Sequence, residues 1–256
     1  MLRSRITPCL LVHKRGLVKT TCFKDPKYVG DPINAVKIFN EKEVDELIVL
    51  DIDATAEGRG PDFELIKNLA VECRMPFCYG GGVTTVEQAK RIISLGAEKV
   101  ALSTAAVLNP SILKEIGIAV GIQSVVVVLD VKNKLFGGYE IYIQNGKKST
   151  GIKLKDFIFV LNQIGIGEIV INSIEDDGKM TGYDFKIFDL VREMTDMPMT
   201  ILGGAGSLED IKEAIKRYQT IGAAAGSLFV FKGKYRAVLI NYPDRNARMD
   251  LYQIKK

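Results

Sequence analysis

Asp130 follows Val125-Val-Val-Val-Leu129, and a carboxylate that ends so apolar a run costs desolvation energy unless it is paired or used. Such a group suits general acid or base work. Asp51 and Asp53 stand in the same way after Leu47-Ile-Val-Leu50, and Asp177 lies just beyond Glu168-Ile-Val-Ile171. Lys19 falls in the segment after the first apolar run and is read as a loop residue. Ser173 is a further candidate, and Asp176 reads better as a solvated loop residue.

Small residues supply a second kind of chemistry. Gly80-Gly81-Gly82, Ser103-Thr104, Gly203-Gly204 and Gly226-Ser227 each follow a short apolar run. Glycine lets backbone N–H groups approach an anion closely, and a following helix start favours negative charge. One such pair is no more than a tight turn. Four of them imply two phosphate positions, for which Gly81, Gly82, Thr104, Gly203, Gly204, Gly226 and Ser227 are the binding candidates, with Ser103 beside them. A third set is ionic. Arg5, Glu46, Lys99 and Glu168 stand at or just before the starts of apolar runs, and on their own read as a stabilising ring of salt bridges.

Composition excludes several classes. The 256 residues carry 35 Lys+Arg against 31 Asp+Glu, a net charge of +4 without a basic block, so neither nucleic acid nor a membrane surface is an expected partner. No apolar stretch approaches the roughly 20 residues that span a bilayer, and the N-terminus lacks the pattern of a signal peptide. There is one histidine, His13, and the four cysteines include no C-x-x-C pair. No metal site or cofactor is expected, and a reducing cytoplasm is. The cysteines read as small buried hydrophobes.

The elements that position these residues alternate. Strands are predicted at Arg5–Val12, Leu47–Asp51, Phe77–Tyr79, Val100–Leu102, Ser124–Asp130, Glu168–Ile171, Met199–Leu202 and Ala223–Ala225, with amphipathic helical patterns between most of them. Eight β units in this length predict one α/β domain, a (β/α)8 TIM barrel, over a doubly wound open sheet. An internal repeat supports the barrel. At an offset of 122, Glu46-Leu-Ile-Val-Leu-Asp51 matches Glu168-Ile-Val-Ile-Asn-Ser173, and Asp62-Phe63, Pro76 and Gly81-Gly82 match Asp184-Phe185, Pro198 and Gly203-Gly204. Two half-barrels follow, about 1–122 and 123–231, with a hairpin inserted near Gly138–Asn145 and an atypical tail over 232–256 in which Ala237–Tyr242 reads as extended.

Arg3-Ser-Arg-Ile-Thr-Pro-Cys9, Val49-Leu-Asp-Ile-Asp53, Gly80-Gly-Gly82, Lys99 to Ala105, Asn172-Ser-Ile-Glu-Asp-Asp-Gly178, Thr181-Gly-Tyr-Asp184 and Gly203-Gly-Ala-Gly206 together resemble the cyclase subunit, of the HisF type, of imidazole glycerol phosphate synthase. The resemblance runs to about Phe231 and implies a barrel of the ribulose-phosphate-binding type. It implies that a glutaminase subunit docks at the barrel bottom, and that Arg5, Glu46, Lys99 and Glu168 form a gate admitting its ammonia. It further implies that the glycine loops and Thr104 hold the two phosphates of the substrate and that Asp130 is one of two catalytic aspartates.

The other aspartate of that family would end the first strand, where this chain has Leu11. Leucine can neither take nor give a proton, and its presence would cost a cyclase about 3–5 kcal/mol of transition-state stabilisation. A specialised branch fits better. Leu10-Leu-Val12, Lys24 to Val36, Phe39 to Asp53 and Gly233-Lys-Tyr-Arg-Ala-Val-Leu-Ile-Asn-Tyr-Pro243 resemble HisF-like proteins associated with glycosyl amidation in bacterial surface-polysaccharide (O-antigen) biosynthesis. That resemblance implies an ammonia-conducting subunit. It would serve conversion of an acetamido to an acetamidino group on a phosphorylated or nucleotide-linked sugar, beside an ATP-dependent N-acetyl sugar amidotransferase. The histidine-pathway cyclase, with its second acid/base group moved to Asp51 or Asp53, and a non-catalytic activator of the glutaminase are the alternatives.

Overall fold

A computed structural model describes residues 3–134 and 137–252. Eight parallel strands form the central sheet: β1 (Arg5–His13), β2 (Leu47–Asp51), β3 (Phe77–Gly80), β4 (Lys99–Leu102), β5 (Val125–Asn133), β6 (Glu168–Ser173), β7 (Met199–Leu202) and β8 (Gly222–Ala225). Each pairs with the next, β8 pairs with β1, and the ring is therefore a closed barrel. All carboxyl ends lie at one mouth, which for brevity is the top. The strands are apolar on both faces because both are covered. Ile6, Leu10, Val49, Val127 and Ile171 face the helical shell, whereas Cys9, Ile48, Cys78, Val126, Val170 and Ala224 fill the interior.

The intervening helices are α1 (Pro32–Glu41), α2 (Phe63–Glu72), α3 (Val86–Ser94), α4 (Ser111–Val120), α5 (Leu154–Ile164), α6 (Phe185–Arg192) and α7 (Leu208–Tyr218). Their starts are chemically marked. Asp31 accepts from Asn34 N with Pro32 in the first turn of α1. The 122-residue offset carries over into the geometry. Asp62 and Asp184 cap α2 and α6 with nearly identical dihedrals, −80°/88° and −79°/87°. Thr85 with Gln88, and Ser207 with Asp210, form reciprocal capping boxes at α3 and α7.

Three features differ from the sequence reading. First, the segment after β1 is not a loop. Gly16–Thr21 and Lys24–Gly30 are antiparallel strands that continue β1 as a hairpin, so Lys19 sits on a strand. Its turns place Lys14, Arg15, Cys22 and Phe23 at positive φ, without the Asn-Gly or Asp-Gly that usually signals such a turn. Second, the insertion after β5 is longer than expected. Tyr139–Ile143 pairs back on β5 and then on Lys148–Lys153. Third, the tail is mostly not extended. Only Ala237–Val238 pairs, with Phe231–Lys232, and a helix follows Pro243, α8 (Arg245–Tyr252). The Tyr242 hydroxyl donates to Ile6 O at 2.8 Å, and the Tyr252 hydroxyl donates to Asp45, so the tail is tied to the starts of β1 and β2. Residues 253–256 lie outside the described ones.

The paired capping boxes should contribute alike. Thr85→Ala and Ser207→Ala are each expected to cost about 1 kcal/mol in denaturant unfolding. The double variant should lose about 2 kcal/mol, because the boxes share no partners.

Candidate functional site

The bottom of the barrel is closed by charge. Arg5 Nη2 lies 2.6 Å from Glu168 Oε1 and Arg5 Nε lies 3.0 Å from Glu46 Oε2. Lys99 Nζ reaches Glu46 Oε1 at 2.5 Å and Glu168 Oε2 at 2.6 Å. Two cations and two anions thus alternate around one ring, with both glutamates buried. Burial opposes the charge on Glu168, but Arg5, Lys99 and the Thr200 hydroxyl outweigh it and hold its pKa low. At Glu46, burial and the neighbouring Glu168 prevail and raise the pKa. Burial also opposes the Lys99 charge, yet Glu168 and Glu46 hold its pKa high. Thr200 was not anticipated. Its hydroxyl occupies the space left by Gly222, where a Cβ would collide with it.

Above the ring the interior is lined by Cys9, Ile48, Cys78, Ala101, Val126, Val170 and Ala224. It opens upward into a pocket lined by Leu11, Lys19, Asp51, the Gly80–Gly82 loop, Ser103, Thr104, Asp130, Asn172, Asp177, Gly203, Gly204, Gly226 and Ser227. The structure therefore gathers the predicted loops at one mouth. Glycine is obligatory at their centres. Gly81 (φ +129°) would place a Cβ 2.6 Å from Asp51 O, and Gly203 (φ +97°) would place one 2.7 Å from Ser173 O, its counterpart in the other half. Gly82 packs against Gly60 and Gly204 against Gly182, again 122 residues apart. The short helices Thr104–Leu108 and Ser227–Val230 begin at this pocket with no side-chain cap, unlike α3 and α7. Among the described residues no side chain caps their first N–H groups, the arrangement in which a helix start can meet an anion. Thr104 Oγ1 also accepts from Gln144 N at 3.1 Å, which fixes the inserted hairpin beside the pocket.

The carboxylates separate by environment. Asp130 is buried, and Asn172 Nδ2 donates to its Oδ1 at 3.0 Å. Burial pushes the Asp130 carboxyl up to about 7, the Asn172 amide opposes the rise and Asp177 adds to it. A carboxyl poised there can both give and take a proton near neutral pH. Asp51 lines the pocket, but its Oδ1 accepts from Asp53 N and Ala54 N at 3.0 and 3.1 Å, so it also shapes the turn after β2. Asp53 turns to His13 Nδ1 at 2.8 Å and to Lys14 N at 2.8 Å, and does not line the pocket. Ser173 is likewise no pocket residue, because its hydroxyl donates to Asp176 at 2.5 Å. Asp177 accepts from the Thr20 hydroxyl at 2.6 Å and from Phe23 N at 3.3 Å, which staples the loop after β6 to the hairpin after β1. Asn172, which orients Asp130, was visible only as an amide ending an apolar strand.

The family model described as "Histidine biosynthesis protein" matches residues 5–236. A Vibrio vulnificus relative, provisionally named imidazole glycerol phosphate synthase subunit hisF3, is 54% identical over 244 residues, 95% of this chain and 94% of the relative. This chain belongs to the HisF family. A Leptospira interrogans relative with a provisional name of the same kind is 51% identical over 253 residues, 98% of this chain and all of the relative. The imidazole glycerol phosphate synthase subunit HisF of Dictyoglomus thermophilum is 38% identical over 216 residues, 84% of this chain and 86% of the relative. Within this HisF-type barrel, Leu11 lines the pocket that holds Asp130.

The raised pKa of Asp130 sets a pH dependence. The folded chain keeps a proton that the unfolded chain releases near pH 4. Stability from this group is full below about pH 4 and is lost as pH rises through about 7. Asp130→Asn should therefore unfold at a higher temperature than the parent at about pH 8 and match it at about pH 4, as followed by thermal unfolding across pH.

Proposed function

We propose that this chain is the ammonia-accepting synthase subunit of a glutamine amidotransferase complex. A glutaminase docks at the ionic ring, and ammonia released there crosses the barrel to an electrophile held at the top by its phosphate groups. The observation that carries this reading is the continuity of the three layers. A neutral ionic ring leads into an apolar interior, and that interior leads to a pocket of uncapped helix starts around Asp130. Uncharged ammonia enters an apolar interior at far lower cost than ammonium. The ring admits it by parting one ion pair, most simply on the side of Lys99, whose single ammonium spans both glutamates.

Two acceptors fit this machinery. The names of the relatives favour ring closure to imidazole glycerol phosphate, and this is the better supported of the two, although the sequence reading placed it second. In that reaction Asp130 would act in both directions, giving and then regaining one proton. Leu11 favours the second reading, amidation of an acetamido sugar for surface polysaccharide, since it leaves Asp130 without the carboxylate partner that cyclisation uses. The protein that activates the acetamido oxygen would then dock at the top.

Supplying ammonium salt and the bis-phosphate cyclase substrate separates these readings. Ring closure by the parent, lowered about 10²–10⁴-fold in Asp130→Asn, is the result expected of a cyclase. No closure by the parent, with closure gained in Leu11→Asp, would exclude the cyclase and support the amidation reading instead. In either case Lys99→Met should depress glutamine-driven turnover and spare ammonium-driven turnover, because it alters the ring and not the pocket. Equal loss in both assays would sink the gate.

A further inference from the structure

Among the described residues, three buried side-chain polar atoms have no hydrogen-bond partner: Arg5 Nε, Thr7 Oγ1 and Asn172 Oδ1. All three stand between the ionic ring and the pocket. Arg5 belongs to the ring, where its Nε–H is not aligned on Glu46 despite the 3.0 Å approach. Asn172 lines the pocket beside Asp130. Thr7 lies between them. Buried polar atoms are rarely left unpaired, because such an atom has lost its hydrogen bonds to water and gained none in return.

Thr7 is fully buried and points into the barrel. Side chains alternate along β1, with Ile6 and Leu10 toward the helical shell and Cys9 toward the interior, so Thr7 shares the side of Cys9. Its register partner on β8 is Ala224, which also faces the interior. Arg5, Thr7 and Cys9 therefore climb one line, at about 6.6 Å per step. The pocket lining reaches down to Cys9 and stops short of Thr7. Thr7 thus falls in the closed stretch between ring and pocket floor, where the interior cluster is made of alkyl groups and thiols. The Thr200 hydroxyl, beside the ring, is already spent on Glu168.

We propose that Thr7 is a transit site for neutral ammonia, whose hydroxyl takes ammonia from the parted ring and hands it to the pocket floor. The transit role rests on the ammonia-transfer reading above; the existence of a small-molecule site at Thr7 does not. Ammonia carries three N–H donors and one lone pair, and a hydroxyl can accept from the first or donate to the second. In an apolar interior the hydrogen bonds lost to water go uncompensated, so one fixed hydroxyl midway lowers the cost of crossing. The site also discriminates. Ammonium has no lone pair, and a single neutral hydroxyl does not offset its charge.

Thr7→Val keeps the shape of the side chain and removes the hydroxyl, whereas Thr7→Ser keeps the hydroxyl. Crystals of the intact protein are soaked in ammonium chloride at alkaline pH, where ammonia is abundant. A solvent-sized peak within hydrogen-bond reach of Thr7 Oγ1, absent in Thr7→Val, is the expected result, and no peak in the parent overturns the proposal. Thr7→Val should also unfold at no lower a temperature than the parent, since the hydroxyl it removes has no protein partner. A lower temperature would mean that the hydroxyl is bonded within the fold, and would likewise overturn the proposal. Transit is read as product formed per glutamate released, with the glutaminase bound and the bis-phosphate cyclase substrate as acceptor. Measured against the ammonium-driven rate of the same variant, this ratio should fall about two- to tenfold in Thr7→Val, the range one net hydrogen bond implies, and hold in Thr7→Ser. An unchanged ratio in Thr7→Val overturns the transit role. No glutamine-driven turnover by the parent would instead remove the ammonia-transfer reading, and the soak then judges the site by itself.

Discussion

Charge burial at the two ends of an apolar barrel is the constraint on which the rest of this structure depends. Eight strands that are largely apolar on both faces offer a stray ion few interior partners, so a charge is costly unless it is neutralised where it stands. The bottom solves this collectively, with Arg5, Glu46, Lys99 and Glu168 each contacting two opposite charges. The top does not. Asp130 has an amide for a partner and Lys19 a carbonyl, so burial moves each of them toward its neutral form. One end is therefore ionised and closed, and the other is open and proton-poised.

The 122-residue repeat gives the mouth two sides of matching backbone geometry. Asp62 and Asp184 cap equivalent helices, Thr85 and Ser207 build equivalent boxes, and Gly81-Gly82 and Gly203-Gly204 press against equivalent backbone. Each such contact recurs at the same offset because the two halves solve the same backbone problem. The halves diverge where chemistry is asymmetric. Asp51 ends β2, whereas Ser173 ends β6, and the hairpins after β1 and β5 differ in length and pairing. Loops can diverge in this way because the strands and helices beneath them hold the scaffold.

Leu11 changes the balance of this mouth. A carboxylate there would stand in the same pocket as Lys19 and share the proton chemistry with Asp130. Without it, the barrel still carries the ionic ring and the glycine loops, and Asp130 is left with an amide partner in the pocket that Leu11 lines. Asp51 and Asp53 do not make up the difference. The first accepts from the two amides of its own turn and the second is held by His13 and Lys14.

Much of this was legible in order along the chain. Alternating apolar runs and helix caps act over a few residues, and the eight strands, seven helices and their repeat follow from them. The four ring charges could be placed because each stands at or beside a strand start, and parallel strands bring all their starts to one end. Tertiary structure alone decided how the polar groups were partnered. The hairpin after β1 turns through Lys14-Arg15 and Cys22-Phe23, residues that carry no turn signature and adopt positive φ because the strands on either side pair. That pairing is what buries Lys19. Ser173 could not be separated from a pocket residue by sequence, since its hydroxyl turns to Asp176 only in the folded loop. Nor could the pKa of Asp130 be read from its neighbours in the chain. Its desolvation comes from the whole barrel mouth, and the opposing hydrogen bond comes from Asn172, forty-two residues away on the strand beside it.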